Sequence, residues 1–111
     1  TRAVRVECRI GGSDLNPYLA QAALLAAGIK GIEDGMALAL PASGDVYQDG
    51  AARQIPATLR EATGTLRNSA MLREAMGDAV INHYVRCAEW EQEEFDRIVT
   101  DWEIARGFER A

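Results

Sequence analysis

Ala3-Val4-Arg5-Val6-Glu7-Cys8-Arg9-Ile10, then the turn Gly11-Gly12-Ser13-Asp14 and the helix start Asn16-Pro17-Tyr18-Leu19-Ala20, is the stretch that decides the fold reading. Its first eight residues alternate strictly. Val4, Val6, Cys8 and Ile10 share one face of an extended chain, and Arg5, Glu7 and Arg9 share the other, which predicts a β-strand over residues 3–10. A strand must pair its backbone donors and acceptors, and no second convincing strand follows in the sequence. The expected architecture is therefore a mainly α fragment of an α+β catalytic domain: one N-terminal β-strand, then four to five helices, with the sheet partners upstream in a longer chain.

Working outward, Asn16 accepts from a free N–H and proline is tolerated at the first helical position, so a helix is expected over about 17–33. It is apolar nearly all round, the pattern of a buried helix. Gly28 and Gly31 within it suggest a point where another backbone comes close. Residues 35–56 show no usable period and read as a long excursion anchored by Val46 and Tyr47. Thr58-Leu59-Arg60-Glu61 is a capping box that opens a helix over about 58–67. Ser69 caps another over 70–76, which Gly77 stops. A longer helix over about 78–99 carries the stripe Ile81, Tyr84, Val85, Ala88, Phe95, Ile98 and Val99. Thr100-Asp101-Trp102-Glu103 is a second capping box, which either starts a helix over 101–109 or marks a bend in a continuous one.

Composition narrows the function classes. The 111 residues suffice for one domain. The net charge of −5, with acidic and basic residues interleaved in the second half, argues against a nucleic-acid partner, which needs a clustered basic face. No apolar run reaches the length of a membrane span and no signal peptide opens the chain. Cys8 and Cys87 read as reduced packing cysteines of a cytoplasmic protein, outside any CxxC or Cys/His cluster. His83, the single histidine, reads as a structural residue on a helix flank. Glu89, Glu91, Glu93 and Glu94 read as a solvated helix face, and Trp90 and Trp102 as packing residues.

One segment looks like a site. Arg5, Glu7 and Arg9 present cation, carboxylate and cation at about 6.6–6.8 Å between alternate strand residues. A carboxylate so placed can hold Mg²⁺ or Mn²⁺, hard cations that also bind phosphate oxygens, and flanking guanidiniums can fork onto phosphate or carboxylate. On these residues alone, a solvated strand edge with ordinary neighbouring charges is the commoner case.

The surroundings alter that balance. Arg5-Val-Glu7-Cys-Arg9, Asn16-Pro17-Tyr18-Leu19-Ala20 and Ala26-Ala27-Gly28-Ile29-Lys30-Gly31-Ile32-Glu33 resemble the glutamine synthetase family. So do Pro56-x-Thr58-Leu59-x-Glu61-Ala62, Leu72-Arg73-Glu74-Ala75-Met76-Gly77 and Thr100-Asp101-Trp102-Glu103. The resemblance covers nearly all of residues 1–111 and implies the C-terminal portion of the family's catalytic domain. It implies ATP-dependent amide formation on glutamate through γ-glutamyl phosphate, with Mg²⁺ or Mn²⁺ as cofactor, in a homo-oligomeric ring. By resemblance, Glu7 is a metal ligand, Arg5 contacts ATP phosphates, and Arg9 contacts substrate and the transferred phosphoryl group as the catalytic residue. The remaining ligands would come from the upstream part of the same domain, leaving an isolated chain inactive. The turn Gly11-Gly12-Ser13-Asp14 and the ending Asp101-Trp102-Glu103-Ile104-Ala105-Arg106-Gly107-Phe108-Glu109 look more like the branch that ligates glutamate to amines such as putrescine, so ammonia and an organic amine both stand as acceptors. A non-catalytic helical interaction module is the reading from another class, and it leaves the Arg/Glu/Arg face unexplained.

Overall fold

A computed structural model describes residues 3, 5–41, 43–45, 54–108 and 110. Among these residues five helices follow in order: α1 Pro17–Glu33, α2 Leu59–Arg67, α3 Ala70–Met76, α4 Asp78–Asp96 and α5 Asp101–Phe108. The chain divides into two units, Thr1–Ile55 and Pro56–Ala111.

The expected N-terminal strand is not present: no strand occurs among the described residues, and residues 5–10 carry no ladder. Alternation sets which side chains share a face, but a strand exists only when a neighbouring backbone takes its N–H and C=O groups, and no described segment does so. Val4 lies outside the described residues.

In the first unit, the Asn16 side chain accepts from the backbone N–H groups of Tyr18 and Leu19 at 3.0 and 3.3 Å. With Pro17 supplying a fixed φ and no orphan N–H, this sets the start of α1. The helix is not buried as its all-round apolarity suggested; Tyr18 and Ile32 are each 83% exposed. Among the described residues no other helix belongs to this unit, so none of them packs a second helix on its apolar surface. At Gly28 and Gly31 no described atom outside the helix's own backbone lies within 4 Å of where a Cβ would project, and a close backbone contact is the Met36 N–H, which donates to the Gly31 carbonyl at 2.9 Å as the helix ends. Val46 and Tyr47, the expected anchors of the long excursion, lie outside the described residues.

The second unit has a small core. α2 and α3 both pack on α4, burying Ile81, Val85 and Thr63. The Thr63 hydroxyl is satisfied by donating to the Leu59 carbonyl one turn back, at 2.7 Å. Thr58 Oγ1 accepts from the Glu61 N–H at 3.2 Å while the Glu61 carboxylate accepts from the Ala57 N–H at 2.9 Å, fixing the entry to α2. Ser69 Oγ accepts from the Leu72 N–H to open α3. Gly77, at φ +84°, turns the chain from α3 into α4 through a left-handed conformation that glycine adopts without strain.

The longest helix ends at Asp96, three residues before the expected 99, and α5 is a separate helix. Its opening is a reciprocal box. Thr100 N–H and hydroxyl both donate to the Glu103 carboxylate at 2.8 Å, and Glu103 N–H donates back to Thr100 Oγ1 at 3.3 Å. These bonds hold the Glu103 carboxyl below its ordinary value. Ile98 and Val99, assigned to the core stripe, fall in the connection and are 60% and 67% exposed.

Candidate functional site

Arg5, Glu7 and Arg9 are all exposed, on the segment that precedes α1. Arg9 Nε donates to Glu7 Oε1 at 2.5 Å, with the two side chains 79% and 57% exposed. Among the described residues Arg5 joins no ion pair, so the structure brings together two of the three expected residues. A carboxylate held at one oxygen by a guanidinium can still present the other to a cation. Glu7 thus has the oxygen-donor chemistry that Mg²⁺ or Mn²⁺ prefers. It fits as a single ligand only, because no group of three potential ligands occurs among the described residues.

The second concentration of charge lies in the groove between α2 and α4. Arg60 pairs with Asp96 at 2.7 Å, Arg67 with Glu89, and Arg86 with Glu93 at 3.0 Å. The Arg60 hydrogen bond, helped by one from Gln92, holds the Asp96 carboxyl below its ordinary value; Glu93 raises Arg86 further. Glu89 therefore bridges the two helices through Arg67, while Glu93 pairs with Arg86 within α4. The Arg60–Asp96 and Arg67–Glu89 pairs span the groove and brace α2 against α4.

Trp90, which lies off the main stripe, and Trp102 are 52% and 65% exposed, and the Arg106 guanidinium lies 5.1 Å from the centroid of the Trp102 ring. The structure also joins two residues that the sequence reading kept apart. Cys87 Sγ lies 3.7 Å from His83 Nε2 on α4. The available signal was the i,i+4 spacing of His83 and Cys87, which places two side chains on one helix face.

Comparison with known proteins identifies the frame to which the first segment belongs. The family profile described as glutamine synthetase, catalytic domain, matches residues 1–107. A gamma-glutamylethanolamide synthetase of Streptomyces coelicolor is 47% identical over 109 residues, covering 98% of this chain and 23% of that protein. A glutamate–isopropylamine ligase of a Pseudomonas species is 40% identical over 106 residues, covering 94% and 23%. A glutamine synthetase of Thermus thermophilus is 35% identical over 109 residues, covering 92% and 24%. The chain thus spans about a quarter of the length of these relatives. With nearly all of its length matched by that profile and by these ligases, the chain belongs to the glutamine synthetase family, within its catalytic domain.

Proposed function

We propose that the full-length protein is an ATP-dependent ligase that joins the γ-carboxyl of glutamate to an amine through γ-glutamyl phosphate. The observation that carries this reading is the Arg5/Glu7/Arg9 segment inside a chain that matches the family's catalytic domain over residues 1–107. The activities for which the Streptomyces and Pseudomonas relatives are named, both amine ligations, support an organic amine over ammonia as the acceptor. Ammonia is the second reading, supported by the match to glutamine synthetases such as that of Thermus thermophilus.

In this reading residues 1–111 form the C-terminal portion of the catalytic domain, and the rest of the protein supplies the remaining ligands and the amine pocket. Glu7 offers one carboxylate oxygen to a nucleotide-associated Mg²⁺ or Mn²⁺, which when bound neutralises phosphate charge. Arg9 orients that carboxylate through its Nε contact at 2.5 Å and turns its remaining N–H donors toward substrate and the transferred phosphoryl group. Arg5, free of an ion pair among the described residues, binds ATP phosphates. A homo-oligomeric ring in the cytoplasm completes the proposal; among the described residues no helix is long and apolar enough to cross a membrane.

The test is an acceptor screen on the full-length protein, following ADP release with glutamate, ATP and ammonia or a panel of amines. Amine-dependent ADP release that exceeds the ammonia rate supports the first reading. Release with ammonia alone supports the second, and no release with any acceptor overturns both.

A further inference from the structure

We propose that His83 and Cys87 of α4 form a two-residue chelate for a borderline-soft divalent cation of the zinc class, separate from the hard-cation chemistry of Glu7. The pair has the donor set such an ion selects, one imidazole nitrogen and one thiol sulfur. Its separation matches the requirement as well. Zinc–sulfur and zinc–nitrogen bonds of about 2.3 and 2.0–2.1 Å at a tetrahedral angle put the donors about 3.5–3.6 Å apart. Sγ and Nε2 are 3.7 Å apart, so the ion can seat between them with almost no side-chain movement.

Helix geometry holds this arrangement in place. Ile81 and Val85 face the core of the second unit. His83 and Cys87 stand two residues further along, about 200° around a helix of 3.6 residues per turn, on the opposite side. Both are exposed, so solvent ions reach them. The Tyr84 ring meets the His83 ring edge-on, with centroids 5.3 Å apart and planes at 83°, which restrains the imidazole. No third His, Cys, Asp or Glu completes a cluster here among the described residues, so water fills the remaining coordination positions.

Cobalt(II) titration tests the proposal, because a cysteine thiolate bound to cobalt gives a near-ultraviolet charge-transfer band that carboxylate ligation does not. The purified protein carrying Cys8→Ser is titrated with Co²⁺ and then with Zn²⁺, with far-ultraviolet circular dichroism confirming that each variant keeps its helices. The expected result is a band that saturates at one metal per chain and is displaced by Zn²⁺. It is abolished by Cys87→Ser, and its affinity falls tenfold or more in His83→Ala. No band at saturating cobalt overturns the proposal, as does an affinity loss of less than tenfold in His83→Ala. Saturation at one metal per two chains replaces it with a site shared between copies.

Discussion

Ile81 is the most deeply buried side chain of the second unit, at 2% exposure, and Ile81→Ala is the direct test of where its core lies. The substitution removes three carbon atoms. At about 0.8 kcal/mol for each buried carbon, transfer alone costs about 2.4 kcal/mol. A residual cavity adds to this, giving about 3 kcal/mol within the usual range of about 2–5. A segment of this size, at about 0.05–0.15 kcal/mol per residue, holds only about 3–8 kcal/mol in total. The loss is therefore a large share of its stability. Ile81→Val removes one carbon and should cost about 1 kcal/mol. Phe95 has a larger side chain but is 60% exposed, so Phe95→Ala should stay within about 1 kcal/mol. Urea denaturation of the three variants, followed by far-ultraviolet circular dichroism, measures the differences. A loss below about 1 kcal/mol at Ile81→Ala, or an equal loss at Phe95→Ala, would refute the reasoning.

Asn16→Ala removes the side chain that accepts from Tyr18 and Leu19 N–H and should cost about 0.5–2 kcal/mol; in the full-length enzyme the melting temperature falls while substrate KM is unchanged, whereas a large KM change with stability intact contradicts a pure capping role. Thr58→Ala should cost about 1 kcal/mol through loss of the α2 cap, read as a lower urea midpoint. The Asp96 and Glu103 carboxyls are held below their ordinary values in the fold by hydrogen bonds, to Arg60 first and to Thr100 respectively. A depressed folded value means that this stabilisation is complete above the unfolded carboxylate values of about 3.9–4.3 and disappears as pH falls through the lower folded values. Arg60→Ala should move the Asp96 titration upward by carboxylate NMR; an unchanged titration contradicts the pairing.

The helix starts were the most legible part of the chain because capping is local. Asn16, Thr58, Ser69 and Thr100 each bond to an N–H two or three residues away, and the relevant spacing is written directly in the sequence. Burial was less legible, because periodicity identifies a face and not what covers it. Ile81 and Val85 are buried, whereas Phe95, Ile98 and Val99 of the same stripe are largely exposed, and the helix ends before the last two. The same distinction undid the strand at residues 3–10: alternation was present, but the hydrogen-bonding partner a strand requires was not among the described residues. The Arg60–Asp96 and Arg67–Glu89 bridges join residues 36 and 22 positions apart, and no linear pattern announces them. Of the candidate site, the residue types and the Glu7–Arg9 pair were readable from spacing. Arg5 joins no ion pair among the described residues, and its spacing alone does not distinguish it from Arg9. His83 and Cys87 were overlooked although i,i+4 is the spacing that brings helix side chains together.

Glu7→Gln in the full-length enzyme distinguishes a carboxylate that holds a metal in an active site from one that only pairs with Arg9. The amide keeps the size of the side chain and removes the charge. Turnover of ATP with glutamate and the preferred acceptor is measured across a Mn²⁺ titration, beside a thermal melt. With Glu7 as a metal ligand, kcat falls by orders of magnitude with the fold intact, ATP binding weakens, and high Mn²⁺ restores part of the loss, because the defect is in metal occupancy. Turnover near wild type at limiting metal would contradict it and leave Glu7 and Arg9 as a surface ion pair worth about 0–1 kcal/mol.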